Sequence, residues 1–307
     1  MKRKINLVGT NTLTVSLPFK WVNKVGLNKG DEIEMDIQGN NLILNGEYKP
    51  TAKAINLNFS TLYPKQMKWA IQISYKQGYD EMRINYKNPE TINIIEQELK
   101  YCPGLEIIQQ EENKCTLKNI AKNLSDEFDN AMRRNFLNSL YMVELMIERI
   151  KKGELASLKE LKKYEDINNK LCCLCERMVN EVRRENNTFS YVVIWQLEKI
   201  VDEYKNICMF LSENSNTKIS KELLLLLEDG QKIFRQYYEL YYKFSMEKQK
   251  EIERLNKSIT KKGLSMLLKG KGNENAVINL IMRASDRIKE CVPSTFALHS
   301  DVFEAKN

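Results

Sequence analysis

From Asn119 onward, apolar side chains return at steps of three and four, and this pattern restricts the chain more than any other feature. Phe136, Leu140, Val143, Ile147 and Ile150 form one stripe. Tyr164, Ile167, Leu171, Leu174 and Met178 form a second, and Val193, Leu197, Ile200, Tyr204, Ile207 and Leu211 a third. Leu226, Ile233, Tyr237, Leu240 and Phe244 follow, and Val277, Ile281, Ala284 and Ile288 close the set. A helix places such residues on one side, so each segment carries a face that must be covered. Polar breaks at 151–153, 184–188, 213–218 and 269–275 separate the stripes. A single long coiled coil or a helix-turn-helix would not need so many breaks, and the pattern predicts bundles of antiparallel helices. The span 219–268 is long enough for two helices, although its sequence shows no obvious break.

The first 46 residues follow a different period. Leu13, Val15 and Leu17 alternate with Thr12, Thr14 and Ser16, which predicts a half-buried strand. Pro18 ends that strand and opens a short helix, which Gly26 terminates. Ile33, Met35 and Ile37 alternate again, residues 39–41 (GNN) form a hairpin turn, and 42–44 is the last strand. A segment this short buries too little apolar surface to be stable alone, so it is expected to pair with a second copy. Lys2, Arg3, Lys4, Lys20, Lys24 and Lys29 fall within the first 30 residues, which contain no acid. Asp31, Glu32, Glu34 and Asp36 come directly afterwards. A basic face of this kind is a footprint for phosphates. The same lysines would also serve to guard exposed strand edges against aggregation.

Residues 48–118 read as β-α-β-α-β-β. Ile55, Leu57 and Phe59 alternate, Pro64 opens a helix to about Gln77, and Met82, Ile84 and Tyr86 alternate. Asn88 and Pro89 begin a second helix, and strands follow near 105–109 and 115–117. This small α/β layer holds no glycine-rich phosphate loop and no catalytic string. It reads as a spacer or dimerisation layer, with binding of a small effector as the alternative.

No run of about 18 apolar residues occurs, and the N-terminus has no signal-peptide core, so a cytoplasmic protein without membrane insertion is expected. Cys172, Cys173 and Cys175 crowd one predicted helix, where they suit core packing better than disulfides or a zinc site. With His299 as its one histidine, the chain is poorly equipped for histidine-based catalysis, and it is not expected to be an enzyme.

The ordered series INLVGTNTLTVSLPFKWVNKVGLNKGDEIEMDIQGNNLIL, residues 5–44, resembles the AbrB/MazE/SpoVT swapped-hairpin domain. The string LEKIVDEYKNIC, residues 197–208, resembles the signature of the PhoU family, with Glu198, Asp202 and Asn206 on the family positions. A fainter second copy, IMRASDRIKECV at 281–292, matches Asp286 to Asp202, Arg283 to Lys199 and Lys289 to Lys205. It departs at Met282, which stands for Glu198, and at Glu290, which stands for the asparagine. In the first copy Val201 and Glu203 stand where the family has glycine and often histidine.

The combination resembles an architecture known from archaeal phosphate uptake regulators. It implies a multi-domain chain: an N-terminal swapped-hairpin β-barrel-type domain at 1–47, a middle α/β domain at 48–118, and an all-α pair of PhoU-like three-helix bundles at 119–307, with repeats at 119–213 and 218–299. The implied function is phosphate-responsive transcription regulation by a homodimer on DNA, controlling phosphate uptake or homeostasis. The expected DNA-contacting residues are Lys2, Arg3, Lys4, Asn11, Thr12, Lys20 and Lys24. The alternative is an accessory protein that acts by contact on a phosphate ABC transporter or a sensor kinase, its N-terminal domain being only a dimer clasp.

The resemblance also implies a divalent metal or iron at Glu198 and Asp202, with Asp286 in a less complete second copy. Glu198 and Asp202, four apart, share one helix face and repel each other, and oxygen ligands suit a hard cation. The core stripe puts them on the outside of the bundle, where Lys199 and Lys205 could instead screen them as a solvated face.

Overall fold

The computed structural model describes residues 2–38, 41–45, 53–121, 127–181, 187–270 and 272–299. The chain divides into two compact units, Met1–Lys53 and Ala54–Asn307.

The first unit holds two hairpins and a helix. Strands β1 (Ile5–Val8) and β2 (Thr12–Val15) pair antiparallel, with Leu7 opposite Leu13. Pro18 caps α1 (Phe19–Val25), and Gly26 ends it at φ 78, a left-handed conformation that costs a glycine nothing. Strands β3 (Glu34–Gln38) and β4 (Asn41–Asn45) form the second hairpin, with Ile37 opposite Leu42. The turn expected at 39–41 lies mostly outside the described residues. No described side chain of this unit is buried. The expected half-burial of β2 is therefore absent within this unit, since Leu13 remains 67% exposed. The alternation is present, but this unit supplies no surface for it to pack on.

The second unit opens with the α/β layer. Strand β5 (Ala54–Asn58), helix α2 (Pro64–Lys76) and strand β6 (Glu81–Asn85) make a parallel pair with a crossover helix. Helix α3 (Thr91–Leu99) and the hairpin β7 (Leu105–Glu111) and β8 (Lys114–Asn119) complete it, in the sheet order β5-β6-β8-β7. Met82 and Ile84 of β6, with Cys115 and Leu117 of β8, point into a core filled by Met67, Ile71 and Tyr75 of α2 and Ile95 of α3. Arg83 and Asn85 face outward, which is the period-two signature of a sheet covered on one side. Asn88 accepts from the amide of Glu90 at 3.0 Å in the turn before the helix and does not cap it: α3 has Glu90 at its N-cap and begins two residues later than the Pro89 start expected.

Among the described residues six helices follow: α4 (Phe128–Lys151), α5 (Lys162–Glu181), α6 (Asn187–Glu213), α7 (Lys221–Tyr242), α8 (Met246–Leu267) and α9 (Glu274–Leu298). The unseen break in 219–268 lies at 243–245. There Ser245 accepts from the amide of Lys248 at 3.2 Å and starts α8. A 3-10 segment, Leu155–Leu161, bridges α4 and α5 and buries Leu155, Leu158 and Leu161, three anchors inside what reads as a connection.

The helices form two trios, α4–α6 and α7–α9, joined where α6 lies on α9 and α4 on α7. Helices α6 and α9 run antiparallel, since Gln196 reaches Glu290 while Glu203 meets Arg283 and Arg287. Glu203 and Arg287 are 84 residues apart, the same offset that relates the two signature copies. The repeat therefore folds on itself about an axis through this pair.

The α/β layer is part of the same compact unit as the helices. Cys173 of α5 joins its core. Arg177, 3% exposed, donates to the carbonyls of Tyr79 at 2.8 Å and Tyr75 at 3.1 Å and pairs with Asp80 at 2.6 Å. Lys76 of α2 pairs with the fully buried Glu176 of α5 at 2.5 Å. These ties join residues about a hundred positions apart, so the helical periodicity carries no sign of them.

Candidate nucleic-acid interface and the carboxylates of the helical unit

In the first unit, Gly9 at φ 68 shapes the β1–β2 turn and leaves Asn11 and Thr12 exposed at its tip. Lys2, Arg3 and Lys4 are exposed at the opposite, open end of the hairpin, about 15 Å away at strand rise. Lys20 is exposed on the first turn of α1, while the side chain of Lys24 lies outside the described residues. One protomer therefore spreads these groups along a hairpin instead of gathering them at a point. Asp31 folds back onto its own turn and accepts from the amide of Asn28 at 2.6 Å.

Several apolar side chains of this unit are exposed as well. Leu7 is 63% exposed, Leu13 67%, Met35 67% and Ile37 76%. Leu7 and Leu13 are cross-strand partners, as are Ile37 and Leu42, so each hairpin presents an adjacent apolar pair with nothing from its own unit over it. Covering four such residues is worth about 4–8 kcal/mol per protomer at the usual yield for aliphatic burial.

In the second unit, Glu198 and Asp202 do share a face of α6. They are half-buried rather than outside, because α5 and, from the α/β layer, α2 approach this face: Glu198 acts electrostatically on both Glu176 and Lys76. Lys199 donates to Glu198 at 2.7 Å and to Asp202 at 3.2 Å, and Lys205 donates to Asp202 at 3.2 Å. Partial burial works against the Lys199 ammonium, but the two carboxylates more than offset this and raise its pKa.

Asp286 lies elsewhere and accepts from Asn256 of α8 at 2.9 Å. Met282 lies against α8, so close to Gly263 that an added Cβ there would meet its sulfur. Among the described residues no three His, Cys, Asp or Glu side chains gather as a metal-ligand set. Glu203, 2% exposed, accepts from Arg283 at 2.8 Å and Arg287 at 3.0 Å. Nothing in the sequence pointed to this seam except the repeat offset, which puts Arg287 at the position equivalent to Glu203.

All seven cysteines are buried free thiols. Burial pushes Cys115 up to about 11, and Cys208 and Cys291 to about 12, which makes them poor nucleophiles. Cys172 takes a hydrogen bond from Asn135 at 3.1 Å within the α4–α5–α6 core, as core packing requires. His299 ends α9 and contacts the carbonyl of Tyr241 at 2.9 Å. No described helix is long and apolar enough to cross a membrane.

Comparison with known proteins gives first a class for the head. Residues 7–55 match the family model described as antidote-toxin recognition MazE, bacterial antitoxin. The chain is also similar in structure to the phosphate transport system regulatory protein PhoU from Streptococcus pneumoniae, with 10% identity and a TM-score of 0.43 over 59% of this chain and 98% of that one. No curated protein matches the chain.

Proposed function

We propose that this protein is a transcription regulator that binds DNA as a dimer through its first unit and responds to phosphate status through its helical unit. The observation that carries the reading is the head itself. A MazE-like segment presents an acid-free run of cations beside apolar cross-strand pairs that nothing in their own unit covers. Two copies closing those pairs against each other would double the cationic surface and bring the spread lysines into register with a duplex. Exposed Asn11 and Thr12 at the hairpin tip have the chemistry to hydrogen-bond phosphates or base edges. The phosphate part of the reading rests on the α6 signature residues Glu198, Asp202 and Asn206.

Binding to the DNA upstream of its own operon, measured across salt concentrations, tests the reading. With four to six phosphates contacted, log affinity falls with log salt at a slope of about −4 to −5. Replacing Lys4, Lys20 and Lys24 by Ala weakens binding and flattens that slope together. Adding inorganic phosphate to the wild-type assay shifts the affinity. If the triple variant keeps both affinity and slope, the head is a dimer clasp and contact with a phosphate transporter or sensor kinase becomes the better account.

A further inference from the structure

In each signature copy the charged side chains are engaged by other side chains of the protein. In the first, the Lys199 ammonium lies between Glu198 and Asp202, and Lys205 takes the other oxygen of Asp202. In the second, the position of Glu198 is held by Met282, packed against Gly263 of α8, and Asp286 is engaged by Asn256. Arg283, the counterpart of Lys199, has no carboxylate at 282 to bind and crosses to Glu203 instead.

We propose that Lys199 is the built-in cation of the α6 carboxylate pair, so that the helical unit is metal-independent and a divalent-ion site exists there only when that ammonium is removed. A divalent ion near Glu198 and Asp202 would stand within a few ångströms of a fixed positive charge. At that range the repulsion is worth at least a tenfold loss of affinity even at a semi-aqueous dielectric. Lys199 cannot swing clear cheaply, because both of its partners are half-buried and it is itself only 28% exposed.

The test uses full-length protein, purified without chelator, in wild-type, Lys199→Gln and Lys199→Arg forms. Metal content is measured by mass spectrometry, and melting temperature is followed with EDTA and through a Mn²⁺ titration. Wild type and Lys199→Arg are expected to carry no stoichiometric metal and to melt at the same temperature in EDTA and in Mn²⁺. Lys199→Gln is expected to bind Mn²⁺ on the order of tenfold more tightly than wild type and to melt higher as Mn²⁺ is added. Adding Asp202→Asn to that variant should abolish the gain. Stoichiometric metal in wild type, lost to EDTA with a fall in melting temperature, overturns the proposal, and so does equal Mn²⁺ binding in wild type and Lys199→Gln. The wild-type arm decides even if the variant fails to fold.

Discussion

Replacing both Leu7 and Leu13 by Glu should dissolve the dimer while leaving the second unit folded. The pair sits cross-strand on the first hairpin, 63% and 67% exposed in one chain. Full burial of a leucine yields about 2 kcal/mol, so covering the two-thirds that remains open recovers about 1.3 kcal/mol per residue. With two residues in each of two chains, the dimer loses about 5 kcal/mol, a weakening of more than a thousandfold before any cost of burying the new carboxylates. Sedimentation velocity at micromolar concentration should show wild type as a dimer and the variant as a monomer. Calorimetry should show the main helical transition unmoved, because neither residue belongs to the core of the second unit. DNA binding should fall with the dimer. A variant that sediments as wild type does would refute the reasoning, since the uncovered leucines would then not be the contact.

Three further outcomes are expected. Removing both arginines around Glu203, as Arg283→Met with Arg287→Met, should cost about 3–5 kcal/mol in urea unfolding, because it strands a carboxylate that is only 2% exposed. Glu203→Gln alone should cost about 1 kcal/mol and should restore most of the loss in the double variant; a double variant that stays as unstable with Glu203→Gln added would show that the stranded carboxylate is not the cause. Phe136→Ala empties a site packed by Tyr237, Tyr238, Tyr241 and Tyr242 and should cost about 3–5 kcal/mol by the same measurement. Asp166 is partly desolvated, which opposes its charge, but hydrogen bonds from Tyr101 and Lys162 prevail and hold its pKa below the usual value. Its contribution is therefore present above about pH 4 and lost as pH falls below that, so Asp166→Asn should flatten the acid limb of the stability profile.

The helical stripes were legible because each one records a covered face, and the covering helices lie nearby in sequence. Phe136 through Ile150 and Val193 through Leu211 are buried as their spacing predicts. The break at 243–245 was obscured by the apolar Phe244, which packs against the helical core and so extends the stripe past the end of α7. Leu155, Leu158 and Leu161 step by three because their segment is a 3-10 turn, a spacing that also fits an α-helix. The carboxylate face of α6 was misplaced outward because the element approaching it, α2, comes more than a hundred residues earlier. Local periodicity says where a helix packs on its neighbours, but it is blind to a layer docked from far along the chain. The first unit was legible as alternation and turn chemistry, and illegible as burial, since nothing within it covers its apolar cross-strand pairs.

The Glu203–Arg287 contact has a consequence for how the two halves came to share one chain. On a two-fold axis, a residue meets its own image. Two identical half-chains paired this way would set glutamate against glutamate at position 203, or arginine against arginine at position 287, and neither seam could close. Opposite charges at equivalent positions are open only to halves that have stopped being copies. Covalent fusion permits that divergence, and once it has happened neither half can pair with a duplicate of itself. The buried ion pair thus works as a one-way latch, since a trio of helices can close this seam only on its unlike sibling.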